Sequence, residues 1–382
     1  MKKNRSGWGS LLIATVALGG IAQALGADGP AREEHWDFTG HVAFDVSSTS
    51  GRVERVAVTV GDGGTGHYPA ILSGDPSLPT HTLYRPRDLR PFGPGNRLPV
   101  VAFANGGCRD SSGEFRNFLS DIASHGYLVI AIGPASDAAV DGSEDPTAIT
   151  RASQLTDAID WAAKAAEQSG SPYYHRLALD KVAVAGQSCG GIQALAVSPD
   201  PRVTATLVLN SSARIASPAS TSGAAPTAAS PAPNARGEYG RRGQGAAGGI
   251  VEQLNEMAHR YDPYLPLMSL TGAGLPDTSH VLEQLHAPVL YLIGGPRDLA
   301  YPGAARDFAA ISSVPVVMLN EDVGHYPGTY REPNGGDFAT AAVAWLDWRL
   351  RGSASARRMF VGAHCGFCQS AKWRVQVKNM PQ

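Results

Sequence analysis

A chain of 382 residues, 43% hydrophobic and 17% charged, has the composition of a globular protein, which excludes wholesale disorder. Its net charge of −2 gives no basic footprint for nucleic acid and no attraction to an anionic membrane surface. Length alone allows one large domain or two ordinary ones.

The chain opens with Lys2, Lys3 and Arg5, followed by the apolar run LLIATVALGGIAQAL at 11–25. Ala22-Gln23-Ala24 offers a small-residue cleavage site, and a cut after Ala27 is the alternative. This pattern predicts a signal peptide over 1–24, a domain over 28–382, and a secreted or periplasmic destination. The competing reading is an uncleaved anchor, but a span needs about 20 apolar residues and this run is shorter. Removal of 1–24 takes away three positive charges and no negative one, so the net charge falls from −2 to −5. In an oxidising compartment the four cysteines, Cys108, Cys189, Cys365 and Cys368, become disulfide candidates.

Partial alternation in VERVAVTVG (53–61) and PTHTLYRP (79–86) predicts antiparallel strands near a sheet edge. The pattern then changes to short continuous apolar runs ending in turn residues. They are LPVVAFANGG (98–107), YLVIAIG (127–133), KVAVAG (181–186), TATLVLN (204–210), PVLYLIGG (288–295) and VPVVMLN (314–320). Such runs suit strands buried on both faces of a parallel sheet. Helix-period segments lie between them: FRNFLSDIASHG, stopped at Gly126, then 148–168 with Ile149, Ala152, Leu155, Ile159 and Ala162 on one face, and finally 337–352. The alternation predicts an α/β fold with a mostly parallel, doubly wound sheet and antiparallel N-terminal strands. Residues 212–250 are rich in Ala, Ser, Pro and Gly and nearly free of large apolar side chains. They read as a low-complexity insertion after the sixth strand, with 251–285 as a cap segment.

The chemistry concentrates in GQSCG at 186–190. A strand turning sharply into a helix needs glycines around the nucleophile, and the turn lifts the Ser188 hydroxyl above the sheet. With 44 glycines in the chain the five-residue pattern alone is weak; the strand before it and the helix after it strengthen it. A serine nucleophile needs a base and the base needs an orienting carboxylate. GGPRDLAYP after the next-to-last strand offers Asp298, and NEDVGHYPGTY after the last strand offers His325. Asp322, three residues before His325, competes for the acid role. His125 and His286 precede strands and His364 lies beyond the final helix, so His325 alone closely follows a core strand. The first backbone N–H after the nucleophile, that of Cys189, is one oxyanion donor. The loop ANGGCRDSS offers the second, from Gly107 or Cys108, and each such donor lowers the barrier by about 3 kcal/mol.

These pieces, with SSGEFRNFLSDIASHGYLVIAI and WLDWRLRGSASARRMFVGAHC, resemble the α/β-hydrolase superfamily over about residues 98–365. Within it the chain is similar to cutinase-like polyester hydrolases and dienelactone-hydrolase-type enzymes. The resemblance implies Ser188 as nucleophile, His325 as base, Asp298 as acid, a small-molecule or polymeric ester as substrate, and no metal or organic cofactor. The chain departs from the polyester hydrolases in three places: LNSSARIASP after the sixth strand lacks their tryptophan, and Gln187 and Cys189 replace the residues that flank their serine. A dienelactone-type or peptide-cleaving hydrolase with the same triad, and a non-catalytic secreted binding protein on the same fold, are the rival readings. No oligomeric state follows from the sequence.

Cys365 and Cys368 form a C-x-x-C that, even with His364, falls short of a tetrahedral zinc site and lacks a thioredoxin-like context. A structural disulfide pinning the C-terminus is expected. Cys108 and Cys189 would flank the oxyanion hole on opposite walls, their Cα atoms within the roughly 4.4–6.8 Å that a disulfide spans. A bonded pair and two buried free thiols both fit the sequence.

Overall fold

The computed structural model describes residues 63–135, 149–215, 277–325 and 328–380, together with the backbone of three short strands between 45 and 59. The expected signal peptide, residues 216–250 of the expected insertion and 251–276 of the expected cap segment lie outside the described residues.

Strands β1 (Asp45–Ser47) and β2 (Val53–Arg55) form an antiparallel pair by themselves. Ten strands make the main sheet: β3 (Val58–Thr59), β4 (Ala70–Ser73), β5 (His81–Pro86), β6 (Leu98–Ala104), β7 (Leu128–Ile132), β8 (Leu177–Gln187), β9 (Val203–Leu209), β10 (Val289–Ile293), β11 (Val316–Asn320) and β12 (Arg374–Lys378). Their order is β12-β11-β10-β9-β8-β6-β7-β5-β4-β3. The block from β11 to β7 is parallel throughout, and antiparallel strands close both edges. The stretch 53–61 is therefore two strands, not one, and only its second half joins the main sheet.

Period-2 alternation distributes the apolar runs to two faces. Val101, Phe103, Val129 and Ala131 pack on the face covered by α1 (Arg116–Ser124). Leu98, Val100, Ala102, Leu128 and Ile130 pack under α2 (Ser153–Glu167) on the other face. The remaining α-helices among the described residues are α3 (Cys189–Val197), α4 (Tyr301–Ala310), α5 (Gly336–Arg351), α6 (Ala354–Phe360) and α7 (Gly366–Gln369). Helix α5 joins α1 over the first face, and α4 extends the second over β10 and β11. The result is three layers, α/β/α. Among the described residues no helix is long and apolar enough to cross a membrane.

Helix α1 stops where expected, since Gly126 sits at φ 85° and only glycine reverses the chain there cheaply. Helix α2 starts later than the periodicity of 148–168 suggested. Ile149 is 71% exposed and outside the helix. It bridges Arg109, while Thr150 N–H donates to the Cys108 carbonyl at 2.8 Å. That hydrogen bonding holds 149–150 extended against the loop after β6.

The residues at 213 and 278, on either side of the undescribed stretch, are bonded to each other. Thr278 N–H and Oγ1–H both donate to the Ala213 carbonyl, at 2.9 and 3.0 Å. Val281, Leu282 and Leu285 beyond them are buried with β10, so 277–285 belongs to the body of the fold.

Candidate active site

Ser188 occupies the turn between β8 and α3, with φ 52° and ψ −119°. That conformation is sparsely populated for a residue with a Cβ and costs on the order of 1–3 kcal/mol. The surrounding framework enforces it: Ser188 N–H donates to Leu209 O at 2.9 Å, and its carbonyl accepts from Ser211 Oγ at 2.6 Å and Gly191 N–H at 2.9 Å. A Cβ on Gly186 would collide with the Gly190 carbonyl, and one on Gly190 with the Ala104 carbonyl. The glycines of GQSCG thus permit close approach of β8, α3 and β6.

Asp298 follows a short 3₁₀ turn, Gly295–Arg297, at the end of β10, and His325 lies in the loop after β11. The two loops are tied together at Gly294, whose carbonyl accepts from Val323 N–H at 3.1 Å and Gly324 N–H at 2.8 Å. Ser188 Oγ lies 2.9 Å from His325 Nε2, and His325 Nδ1 lies 2.6 Å from Asp298 Oδ1. The carboxylate fixes the tautomer, so Nδ1 carries the proton and Nε2 is free to accept the serine's. Asp298 and His325 are buried, while Ser188 keeps partial exposure.

Four donors surround the Asp298 carboxylate: His325 Nδ1 and Ala300 N–H (2.9 Å) on Oδ1, Gly294 N–H (2.9 Å) and Asn210 Nδ2 (2.8 Å) on Oδ2. Burial pushes the Asp298 pKa up. The charge and hydrogen bond of His325, with the Gly294 and Ala300 N–H groups, outweigh burial and hold it below the ordinary carboxylate value. Asp322 does not reach the histidine. It pairs with Arg297 Nε at 3.0 Å, and both side chains are mostly exposed.

Opposite the triad, Gly106–Cys108 form a 3₁₀ turn in which Gly107 and Cys108 have φ 63° and 52°. The i→i+3 pattern of such a turn engages the N–H groups of Cys108 and Arg109, leaving that of Gly107 as the candidate donor on this wall. Cys189 opens α3, so its N–H has no acceptor within the helix. Cys108 and Cys189 are disulfide-bonded, with Cα atoms 5.2 Å apart, which joins the two walls covalently. Gln193 backs the bond, donating to Cys108 Sγ at 3.3 Å and Thr150 O at 2.9 Å. Cys365 and Cys368 form the second disulfide, Cα atoms 5.0 Å apart, and no cysteine is free.

Sequence reasoning missed Asn210, Gln187, Thr150 and Tyr330. Gln187 is fully buried and donates to the His325 carbonyl at 3.3 Å. Asn210 carried one usable signal: it directly follows a parallel strand, where ligand and catalytic groups of α/β sheets gather. The partners of Tyr330 are distant in sequence and left no local pattern.

Compared with protein-family models and with curated protein sequences, the chain matches none.

Proposed function

We propose that the chain is an exported serine hydrolase of the α/β-hydrolase superfamily that cleaves carboxylic esters. The observation that carries the reading is the unbroken run from Ser188 Oγ through both ring nitrogens of His325 to Asp298, at 2.9 and 2.6 Å. Isolated serines of turns have no such partners. Two disulfides in one chain fit an oxidising compartment and so favour export.

In this mechanism Ser188 Oγ attacks the ester carbonyl carbon as its proton passes to His325 Nε2. Asp298 holds the ring and stabilises the imidazolium. The N–H groups of Cys189 and Gly107 receive the oxyanion. Collapse of the tetrahedral intermediate breaks the bond to the alcohol oxygen, which takes the proton from His325. Water, deprotonated by the same nitrogen, then attacks the acyl-serine and frees the acid.

A fluorophosphonate probe with intact-mass detection tests the reading. One adduct is expected on the native protein and none on Ser188→Ala, with turnover of p-nitrophenyl esters exceeding that of lactones or short peptides. A folded protein that takes no adduct would refute the assignment and leave a binding protein on this fold.

A further inference from the structure

We propose that Asn210, held by Tyr330, is a positioning residue of the triad: its amide fixes the Asp298 carboxylate and the peptide preceding His325 at the same time. This rests on the hydrolase reading above. Asn210 directly follows β9, is fully buried, and has φ 44°, a conformation that asparagine tolerates better than most residues. Its backbone N–H donates to Leu292 O at 2.7 Å, which places it between the strand leading away from the nucleophile and the strand leading to the acid. Its Nδ2 donates to Asp298 Oδ2 at 2.8 Å and to the Gly324 carbonyl at 3.2 Å. Its Oδ1 accepts from the Tyr330 hydroxyl at 2.7 Å. Both partners of Nδ2 are acceptors, so the amide has one workable orientation, and its donors and acceptor are all engaged.

Without that amide, Oδ2 keeps one donor, Gly294 N–H, in a site where Asp298 is 1% exposed. Nothing else described there supplies the missing bond. The carboxylate then takes up a proton more readily, or pulls harder on the imidazolium. Either change moves the acid limb of the reactivity profile to higher pH. Tyr330 stays a neutral donor across the working range, because burial and then the Asp298 charge push its pKa well above the ordinary value.

Few other groups interfere with that readout. Glu321, on the loop that carries His325, is pushed up to about 7 by burial and then by Asp337, but it is the same in wild type and every variant and so drops out of the comparison. Phe115, Phe118 and Phe338 surround the Tyr330 ring. Arg331, next in sequence, is paired with Glu114, and Arg297 with Asp322 on the adjoining loops. Among the described residues the titratable groups joined by hydrogen bonds at Asn210 are thus Asp298, His325 through it, and Tyr330.

The rate of Ser188 phosphonylation by a fluorophosphonate, followed against pH, measures this without a known substrate. In that reaction the Oγ–P bond forms, fluoride leaves, and the serine proton goes to His325 Nε2. Asn210→Leu preserves the shape of the side chain but strains the backbone; Asn210→Gly relieves the strain and also lacks the amide. Both are expected to react about tenfold more slowly at pH 7, as for loss of a hydrogen bond to a charged group. Their acid limb should move up by about half a pH unit or more. Tyr330→Phe should move the limb the same way by less. Wild-type limbs in folded Asn210 variants would overturn the proposal while leaving the hydrolase reading intact. If neither Asn210 variant folds, an unmoved limb in Tyr330→Phe overturns it. A wild type that never labels removes the hydrolase reading itself.

Discussion

Asp298 and Asp322 are the same residue type, yet Asp298, 27 residues from His325 in the chain, makes contact with it and Asp322, three residues away, does not. Asp298→Asn should therefore lower kcat by about 10⁴, by presenting the wrong ring tautomer. Asp322→Asn, which loses only an exposed pair with Arg297, should leave kcat within about twofold; steady-state kinetics on a chromogenic ester separate the two. A third carboxylate, Asp307, bears on stability. It is buried in α4, accepting from Ala213 N–H at 2.6 Å and Tyr291 OH at 3.2 Å. Burial pushes its pKa up to about 6. A carboxyl raised in the folded state binds its proton more tightly there than in the unfolded chain. Its favourable contribution is present below the ordinary value of 3.8 and is lost as pH rises through about 6. Asp307→Asn should abolish that slope. Urea titrations at pH 4.5 and 7 should show the variant gaining on wild type by about 2 kcal/mol between them.

At the scale of elements, what the sequence made legible follows burial. Strands β6, β7, β10 and β11 are fully buried, and their unbroken apolar runs announced them. Strand β12 escaped notice because it is an edge strand whose residues are exposed or half-buried, so RVQVK carries only weak alternation. It is positioned instead by the aromatic cluster before it. Phe360 meets Phe367 at 5.1 Å, Phe367 meets Trp373 at 5.7 Å, and Trp373 meets Phe338 of α5 at 5.7 Å. Phe360→Ala should cost about 3–5 kcal/mol of unfolding free energy in urea titration. The candidate triad was legible because each member sits at the end of a core strand with a turn motif behind it. The network around it was not, since Asn210, Tyr330 and Gln187 are recruited through contacts 88 to 138 residues apart in sequence.

For the whole molecule, the two disulfides carry unequal weight. Cys108–Cys189 spans 81 residues and Cys365–Cys368 only 3. Chain-entropy reasoning assigns about 4.5 kcal/mol to the first and about 1.6 to the second. Unfolding titrations of Cys108→Ala/Cys189→Ala and Cys365→Ala/Cys368→Ala double variants should rank them so, with phosphonate labelling slowed in the first alone. The parallel block joins Ser188 to Asp298 and His325 through the ladder of β8, β9, β10 and β11, wholly within the described residues. The covalent path between them runs through residues 216–276. The bonds between Thr278 and Ala213 bring the two ends of that path together. In the grammar of the chain the stretch from 216 to 276 is a parenthesis, and a sentence keeps its syntax when a parenthesis is struck out. Between ends fixed in this way, a flexible glycine linker about eightfold shorter than a flexible loop costs about 2 kcal/mol less closure entropy, so replacing the stretch with one should leave the body folded in urea titration. Any substrate preference lost with it would then belong to the parenthesis, while the proposed hydrolytic chemistry would stay with the clause that surrounds it.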